Sequence, residues 1–307
     1  MTDIKTRKSR FPTPAFRLSF LAVCFVLLVS TIAITGCGSG KPGAGAETKG
    51  PGQTIENKGS DTLVNLALAW AEHYMQERPD VSISVTGGGS GTGIAAMING
   101  TVAIANASRE MKPEEIAAAK ANGIDPVEFI VAHDAIAVVV NPSNPVQSLT
   151  LKQISDIYTG EIKNWMEVGG EDRPIVLLSR ESNSGTYVYF LENVIRMGDS
   201  KSKLLFSPDT LLLASSEGIS SEIRQNPNVI GYDGLGYVTP DQKVIAISKN
   251  EKGPFVVPSA ETVKYYPIAR PLYMYTAGKP TGQIKDYIEW ILNGGQTLVT
   301  KLGFVPL

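Results

Sequence analysis

Three stretches of the sequence share one arrangement: an apolar segment, then a loop of glycine, serine and threonine, then a helical pattern. They are KGSDTLVNLALAW (58–70), VTGGGSGTGIAAM (85–97) and SRESNSGTYVYF (179–190). The first turn of a helix offers backbone N–H groups at the positive end of its dipole, and hydroxyl side chains add further donors. Each loop alone is more often an ordinary helix cap. Three together indicate a site for an oxyanion.

The surrounding pattern alternates helices with apolar strands. Apolar residues at helical spacing predict a helix over 61–78, stopped before Pro79, and a helix pair over 282–302, while AIAVVVN (135–141) predicts a buried strand. This alternation predicts an α/β fold, in which ligands bind beyond the carboxyl ends of the strands. None of the three loops contains GKS or GKT, so nucleotide hydrolysis has no support.

The composition excludes several classes of function. The length of 307 residues is typical of about two domains, and the 43% hydrophobic content is enough to form a core. Its net charge of −2 argues against a nucleic-acid partner. With two histidines and no cysteine after residue 37, no metal site and no cofactor are expected.

The N-terminal segment has the features of an export signal. Five basic residues precede the apolar run 18–34, and ITGC at 34–37 is typical of a bacterial lipobox. We therefore expect a signal peptide over 1–36, a lipid on Cys37 and a flexible Gly- and Pro-rich tether over 37–53. The alternatives are a permanent transmembrane anchor or an ordinary signal with an incidental cysteine. Cleavage removes five basic residues and one acid, so the net charge becomes −6.

A chain of motifs resembles the PstS family of phosphate-binding lipoproteins, the substrate-binding subunits of phosphate ABC importers. The resemblance runs from about residue 54 to 307 and rests on GSDTL, GGGSGTGI, IANASREMKPEE, IYTGEIKNWMEVGGEDRPIVLLSRESNSGT, NVIGYDGLGYV and KLGFVPL. It implies a two-lobed periplasmic-binding-protein fold of type II, each lobe a mixed sheet flanked by helices, closing over one dehydrated phosphate. The implied lobes are 54–137 plus 269–307 (lobe I) and 138–268 (lobe II), with crossings near 132–141 and 266–276.

The same resemblance implies a set of ligand-binding residues. The guanidinium of Arg180 would supply charge and paired donors, and its alternative role is an ion pair with Glu181 or another acid. The implied set is Thr62, Leu63, Ser90, Gly91, Arg180, Ser184, Gly185 and Thr186, with Asp61, Thr92, Ser108, Arg109 and Ser182 as further candidates.

Two positions depart from the family pattern. Ser108 and Arg109 stand where family members carry an aspartate that accepts the proton of HPO4²⁻, and Ser182 stands where an acid follows the loop arginine. Selection of phosphate over sulfate depends on such an acceptor, because it repels an anion that has no proton.

Three acids are candidates for the missing acceptor. Asp61 is the first hypothesis, since it lies inside the first loop, and Glu110 and Glu181 are the others. Asp61 could instead serve only to cap the first helix. For Arg109 we expect either contact with the anion or an ion pair with Glu110.

The function implied is a monomeric extracytoplasmic lipoprotein that delivers phosphate to membrane permease subunits. Other tetrahedral oxyanions (sulfate, molybdate or tungstate) and a role as an envelope sensor or adhesion lipoprotein remain open. An enzyme with Ser184 as nucleophile is not expected, because the surrounding sequence is not G-x-S-x-G and no histidine is placed by sequence to activate it.

Overall fold

The structure, a computed structural model, describes residues 54–307; the predicted signal, Cys37 and the tether lie outside the described residues. The strands are β1 (Ile55–Gly59), β2 (Ile83–Thr86), β3 (Ile104–Ala107), β4 (Val127–Val140), β5 (Ser148–Thr150), β6 (Val176–Arg180), β7 (Leu211–Leu213), β8 (Val229–Gly234), β9 (Lys243–Val244), β10 (Ala246–Ser248) and β11 (Ala269–Thr276). The α-helices are α1 (Asp61–Glu77), α2 (Ser90–Ile98), α3 (Pro113–Ala121), α4 (Leu151–Thr159), α5 (Gly185–Phe190), α6 (Ser216–Gln225), α7 (Gly282–Leu292) and α8 (Gln296–Lys301).

A mixed sheet runs through the described residues in the order β2-β1-β3-β11-β4-β8-β6-β7, with β9 also paired to β4. The strands β1, β2 and β3 are parallel, as are β8, β6 and β7, whereas β11 is antiparallel to both of its neighbours. We call β2, β1 and β3 with their helices the first half, and β8, β6 and β7 with theirs the second half. The α/β prediction is confirmed.

Strand β4 belongs to both halves of the sheet. Its residues 127–135 pair with β11, and its residues 136–140 pair with β8. The predicted crossings near 132–141 and 266–276 overlap β4 and β11. Only the second part of β4 was predicted as a strand, because the first part, VEFIVAHD, mixes exposed and buried residues and lacks a continuous apolar run.

Separate apolar clusters hold the two halves. In the first, Trp70 of α1 is fully buried and its Nε1 donates to the Gly295 carbonyl at 2.8 Å. In the second, the rings of Phe190 and Tyr232 stack with centroids 3.7 Å apart, beside Tyr158. Because Phe190 ends α5, this aromatic packing fixes the helix whose N-terminus carries the third predicted loop.

Helix α2 lies against the backbone of β1 at Gly93. A β-carbon at this position would overlap the Lys58 carbonyl and lie 2.6 Å from the Gly59 Cα. The glycine therefore sets how closely the second loop approaches the first.

We expect Gly93→Ala to lower the free energy of unfolding by roughly 1–3 kcal/mol, because overpacking outweighs the better helix propensity of alanine. Urea unfolding measures the change. The control is Gly278→Ala, where the new methyl meets nothing within 4 Å and the change should stay within about 0.5 kcal/mol. Equal stability of the two variants would contradict this account of the packing.

Candidate oxyanion-binding site

The three predicted loops meet between the halves of the sheet. The Thr62 hydroxyl at the start of α1 lies 2.8 Å from the Thr186 hydroxyl in α5, a contact between residues 124 positions apart. The N–H of Gly91 in α2 donates to the Asn183 carbonyl at 3.0 Å. The side chain of Asn183 also donates to the Gly88 carbonyl, at 3.0 Å. Contacts from all three loops therefore cross the boundary between the halves.

Serine hydroxyls from the first half surround the start of α5. The Ser90 hydroxyl accepts from the Ser108 N–H at 3.0 Å and lies 3.3 Å from the Ser108 hydroxyl. A β-carbon at Gly185 would overlap the Ser90 hydroxyl oxygen, so only glycine allows this approach. Thr62, Ser90, Ser108 and Thr186 are all at most 1% exposed. The cluster is thus a set of donors withdrawn from water.

The helix starts differ in how their N–H groups are used. Helices α1 and α2 begin after Ser60 and Gly89, neither of which makes a side-chain cap within residues 54–307, although the Gly91 N–H is taken by the Asn183 carbonyl. Leu63 donates its N–H to the Ser60 carbonyl at 3.1 Å and buries its side chain in the core. Ser184 caps α5 by accepting from the N–H groups of Thr186 and Tyr187.

Arg180 and Asp61 join the third loop to the first. Arg180 is 1% exposed, and its Nη2 lies 3.2 Å from the Asp61 carboxylate. Its Nη1 donates to the Ser216 hydroxyl at 2.8 Å, and the Ser216 N–H donates to Asp61 at 2.7 Å. Arg180 therefore has the ion pair that was its alternative role, and the acid is Asp61, not Glu181.

Arg109 forms its ion pair with a different acid from the one expected. Its guanidinium contacts both carboxylate oxygens of Glu115 at 2.7 and 2.8 Å, and Glu110 only through the backbone carbonyl. Of the two roles expected for Arg109, the ion pair with the Glu110 carboxylate is therefore wrong, and contact with the anion stays a prediction. The reason is local: Glu115 turns back to accept from the Lys112 N–H in the capping box of α3, which brings its carboxylate beside Arg109.

Two other candidates lie at the edge of this cluster. The Thr92 hydroxyl is half-buried and donates to the Gly88 carbonyl at 2.7 Å. Ser182 is exposed, as are the alternative proton acceptors Glu110 and Glu181. Of the three acids considered, only Asp61 makes contacts inside the cluster.

A buried ion pair beneath the cluster was not predicted. Arg270 on β11 is 2% exposed and faces its cross-strand partner Asp134 on β4, which is fully buried. Its Nη2 lies 2.9 Å from the Asp134 carboxylate and 3.0 Å from the Thr186 hydroxyl. The sequence offered one indication of this pair: each of the two apolar segments predicted to cross between the lobes contains one charged residue, Asp134 or Arg270.

Asp233 is a second residue that was missed. It lies near the end of β8 and is 1% exposed, and within residues 54–307 its Oδ2 has no hydrogen-bond partner. Burial raises the pKa of this carboxyl to about 7, although the nearby Arg180 charge, the Ser216 hydroxyl and the Gly234 N–H oppose the rise.

Among residues 54–307 no group of three or more His, Cys, Asp or Glu side chains could hold a metal ion. In the same range, no helix has the length and apolar character needed to cross a bilayer.

Comparison with known proteins identifies the family. A profile described as a PBP superfamily domain matches residues 45–294. The phosphate-binding protein PstS of Pseudomonas aeruginosa is 33% identical over 281 residues, covering 85% of each chain. PstS of Bacillus subtilis is 31% identical over 299 residues, covering 94% of this chain and 93% of its own. The chain belongs to the PstS family, within the PBP superfamily.

Solved structures agree with this assignment to the PstS family. A putative phosphate ABC transporter substrate-binding protein with bound phosphate from Clostridium perfringens is 34% identical, with a TM-score of 0.73 and coverage of 83% of this chain and 99% of its own. An ABC-type phosphate transport receptor from Vibrio cholerae is 27% identical, with a TM-score of 0.66 and coverage of 82% and 100%. The predicted two-lobed type II fold is confirmed.

The raised pKa of Asp233 predicts how stability depends on pH. Between about pH 4 and pH 7 the folded protein keeps a proton that the unfolded chain has released, so the free energy of unfolding falls as pH rises through this window. Asp233→Asn should remove this fall in the free energy of unfolding. At about 1.4 kcal/mol per pKa unit, the fall amounts to a few kcal/mol.

Urea unfolding at a series of pH values measures the effect. The control, Asp125→Asn, changes an exposed acid and should follow the curve of the unaltered protein. A pH dependence in Asp233→Asn as steep as that of the unaltered protein would contradict the buried, protonated carboxyl.

Proposed function

We propose that this protein binds inorganic phosphate between its two lobes and delivers it to the membrane permease of an ABC importer. The observation that carries the proposal is the convergence of the buried Thr62, Ser90 and Thr186 hydroxyls with uncapped helix starts and the Arg180 guanidinium. Relatives named phosphate-binding proteins, and a similar structure with bound phosphate, support it.

The site suits an anion that has lost its water shell. Hydroxyl and backbone N–H donors replace the hydrogen bonds of water, and the acid beside them, Asp61, is paired with Arg180. The formal charge of the chain is negative, so the anion is captured by local donors and not by a long-range field. The ligand set of the proposal is the one implied by the family resemblance. Arg180 is held in place by Asp61, by the Ser216 hydroxyl and by the carbonyls of Leu213 and Ala214.

Asp61 is the proposed acceptor for the phosphate proton. Its Oδ2 accepts from Ser216 and faces Arg180, while its Oδ1 accepts no hydrogen bond from residues 54–307. A monoprotonated phosphate can donate to Oδ1, whereas sulfate has no proton and meets a negative charge. This carboxylate would take the role that Ser108 cannot fill.

The lobe boundaries complete the proposal: residues 54–137 with 269–307 form lobe I, residues 138–268 form lobe II, and β4 with β11 forms the hinge. The contacts of Asn183 with Gly88 and Gly91 join the lobes in the closed form. The chain would act as a monomer that Cys37 anchors by lipid at the outer face of the cell membrane, after removal of residues 1–36.

No observation favours catalysis as a second function. The Ser184 hydroxyl caps α5, and in the described residues it contacts no histidine. Other oxyanions remain the alternative that the binding experiment separates from phosphate.

Calorimetric titration of residues 38–307, stripped of bound anion, tests the proposal. We expect saturable one-to-one binding of phosphate from pH 5 to 9 and no measurable heat with sulfate. Binding of sulfate as tight as that of phosphate would contradict the assignment of phosphate as the specific substrate. Binding of neither anion would refute the transport function.

We expect Asp61→Asn to reduce the preference for phosphate over sulfate by about 10- to 100-fold, as suits the loss of one hydrogen bond to a charged group. The ratio of the two calorimetric dissociation constants measures it. Glu181→Gln is the matched control, because Glu181 is exposed and should leave the ratio unchanged. An unchanged ratio in Asp61→Asn would show that another group accepts the proton.

A further inference from the structure

Arg270 is a buried cation that contacts both halves of the candidate site. Its Nη1 donates to the Ser108 carbonyl in the first half at 3.0 Å, and its Nη2 donates to the Thr186 hydroxyl in the second half at 3.0 Å. Its Nε and Nη2 also donate to one oxygen of Asp134, at 3.1 and 2.9 Å. The residue lies on β11, one of the two strands that connect the halves.

The chemistry of the groups decides which of them donates in the contacts of Arg270, Thr186 and Thr62. A guanidinium can only donate, so the Thr186 oxygen must accept from Arg270. The 2.8 Å contact between Thr186 and Thr62 then uses one of their two hydroxyl protons. Whichever threonine donates in that contact, the other keeps its proton for an acceptor outside the pair. The pair therefore presents one hydroxyl donor to an anion.

The charge of Arg270 strengthens that donor. A hydroxyl that accepts a charge-assisted hydrogen bond becomes polarised and donates more strongly in its turn. Asp134 compensates the charge, so Arg270 adds little net field at the site. The Arg270 Cζ also lies over the Tyr189 ring, 5.6 Å from its centroid, and this cation–π contact helps to fix the orientation of the guanidinium.

We propose that Arg270 is a positioning residue for phosphate, which acts through a relay of hydrogen bonds from Arg270 to Thr186 and Thr62. The inference rests on the proposed phosphate-binding function and adds a residue outside the ligand set implied by the family resemblance. The relay is complete only when α1 and α5 meet. It therefore links closure of the lobes to the orientation of a phosphate donor.

A double-mutant cycle tests the relay. Arg270→Lys keeps a cation for Asp134 but cannot reproduce the branched donation to Thr186 and Ser108. We expect it to weaken phosphate binding at least tenfold in the unaltered background. In a Thr186→Val background it should weaken binding by less than twofold further, because the relay is already broken there.

Two further variants separate the relay from a general effect on packing. In a Thr186→Ser background, which keeps the hydroxyl, Arg270→Lys should again cost at least tenfold. Arg173→Lys, at a partly exposed ion pair on the surface, should leave affinity unchanged. If Arg270→Lys fails to fold, Arg270→Met combined with Asp134→Leu removes both charges of the buried pair and the donor to Thr186, and the same cycle applies.

The outcomes distinguish the relay from the function on which it rests. Failure of the unaltered protein to bind phosphate would overturn the proposed function and the relay with it. If the unaltered protein binds and Arg270→Lys has the same effect with and without the Thr186 hydroxyl, the relay alone is overturned.

Discussion

The hydrogen bond between the Thr62 and Thr186 hydroxyls is the contact on which the rest of the site depends, because it joins helix starts from opposite halves of the sheet. Both hydroxyls are withdrawn from water, and buried polar groups must find partners or lose stability. The glycines at positions 93 and 185 allow the backbones to come close enough for this contact. The closed arrangement is therefore held by polar groups that an anion could also satisfy.

Two ion pairs lie on either side of that contact, and they differ in their surroundings. Arg180 and Asp61 connect two of the loops, and Asp61 is 17% exposed. Arg270 and Asp134 connect the two crossing strands in the dry interior. A buried pair contributes little net stability but is costly to break, which suits groups that fix geometry. Each arginine is thus held in one orientation before any ligand arrives.

The loops of the site could be predicted because their signal is local. Glycine, serine and threonine between an apolar run and a helical pattern are visible in a single short window, as at 85–97. The partners of Arg109 and Arg270 could not be predicted in this way. Glu115 reaches Arg109 through the capping of α3, and Asp134 faces Arg270 through a strand pairing across 136 residues.

The same distinction holds for the fold. The fully buried second part of β4 was predicted from its apolar run, whereas the first part was not, because pairing with β11 and not composition makes it a strand. Position 108 shows the limit of a resemblance. The resemblance identified the position where an acid is missing. The structure places Asp61 beside the buried hydroxyls and leaves Glu110 and Glu181 exposed, which favours Asp61 as the proposed acceptor.

The most direct test of the account is a crystal structure of residues 38–307 grown with saturating phosphate. The account predicts one phosphate between the lobes, with the Thr62, Ser90 and Thr186 hydroxyls and an Asp61 oxygen each about 3 Å or less from a phosphate oxygen. Phosphate bound elsewhere, or a saturated crystal in which these side chains do not contact it, would contradict the account.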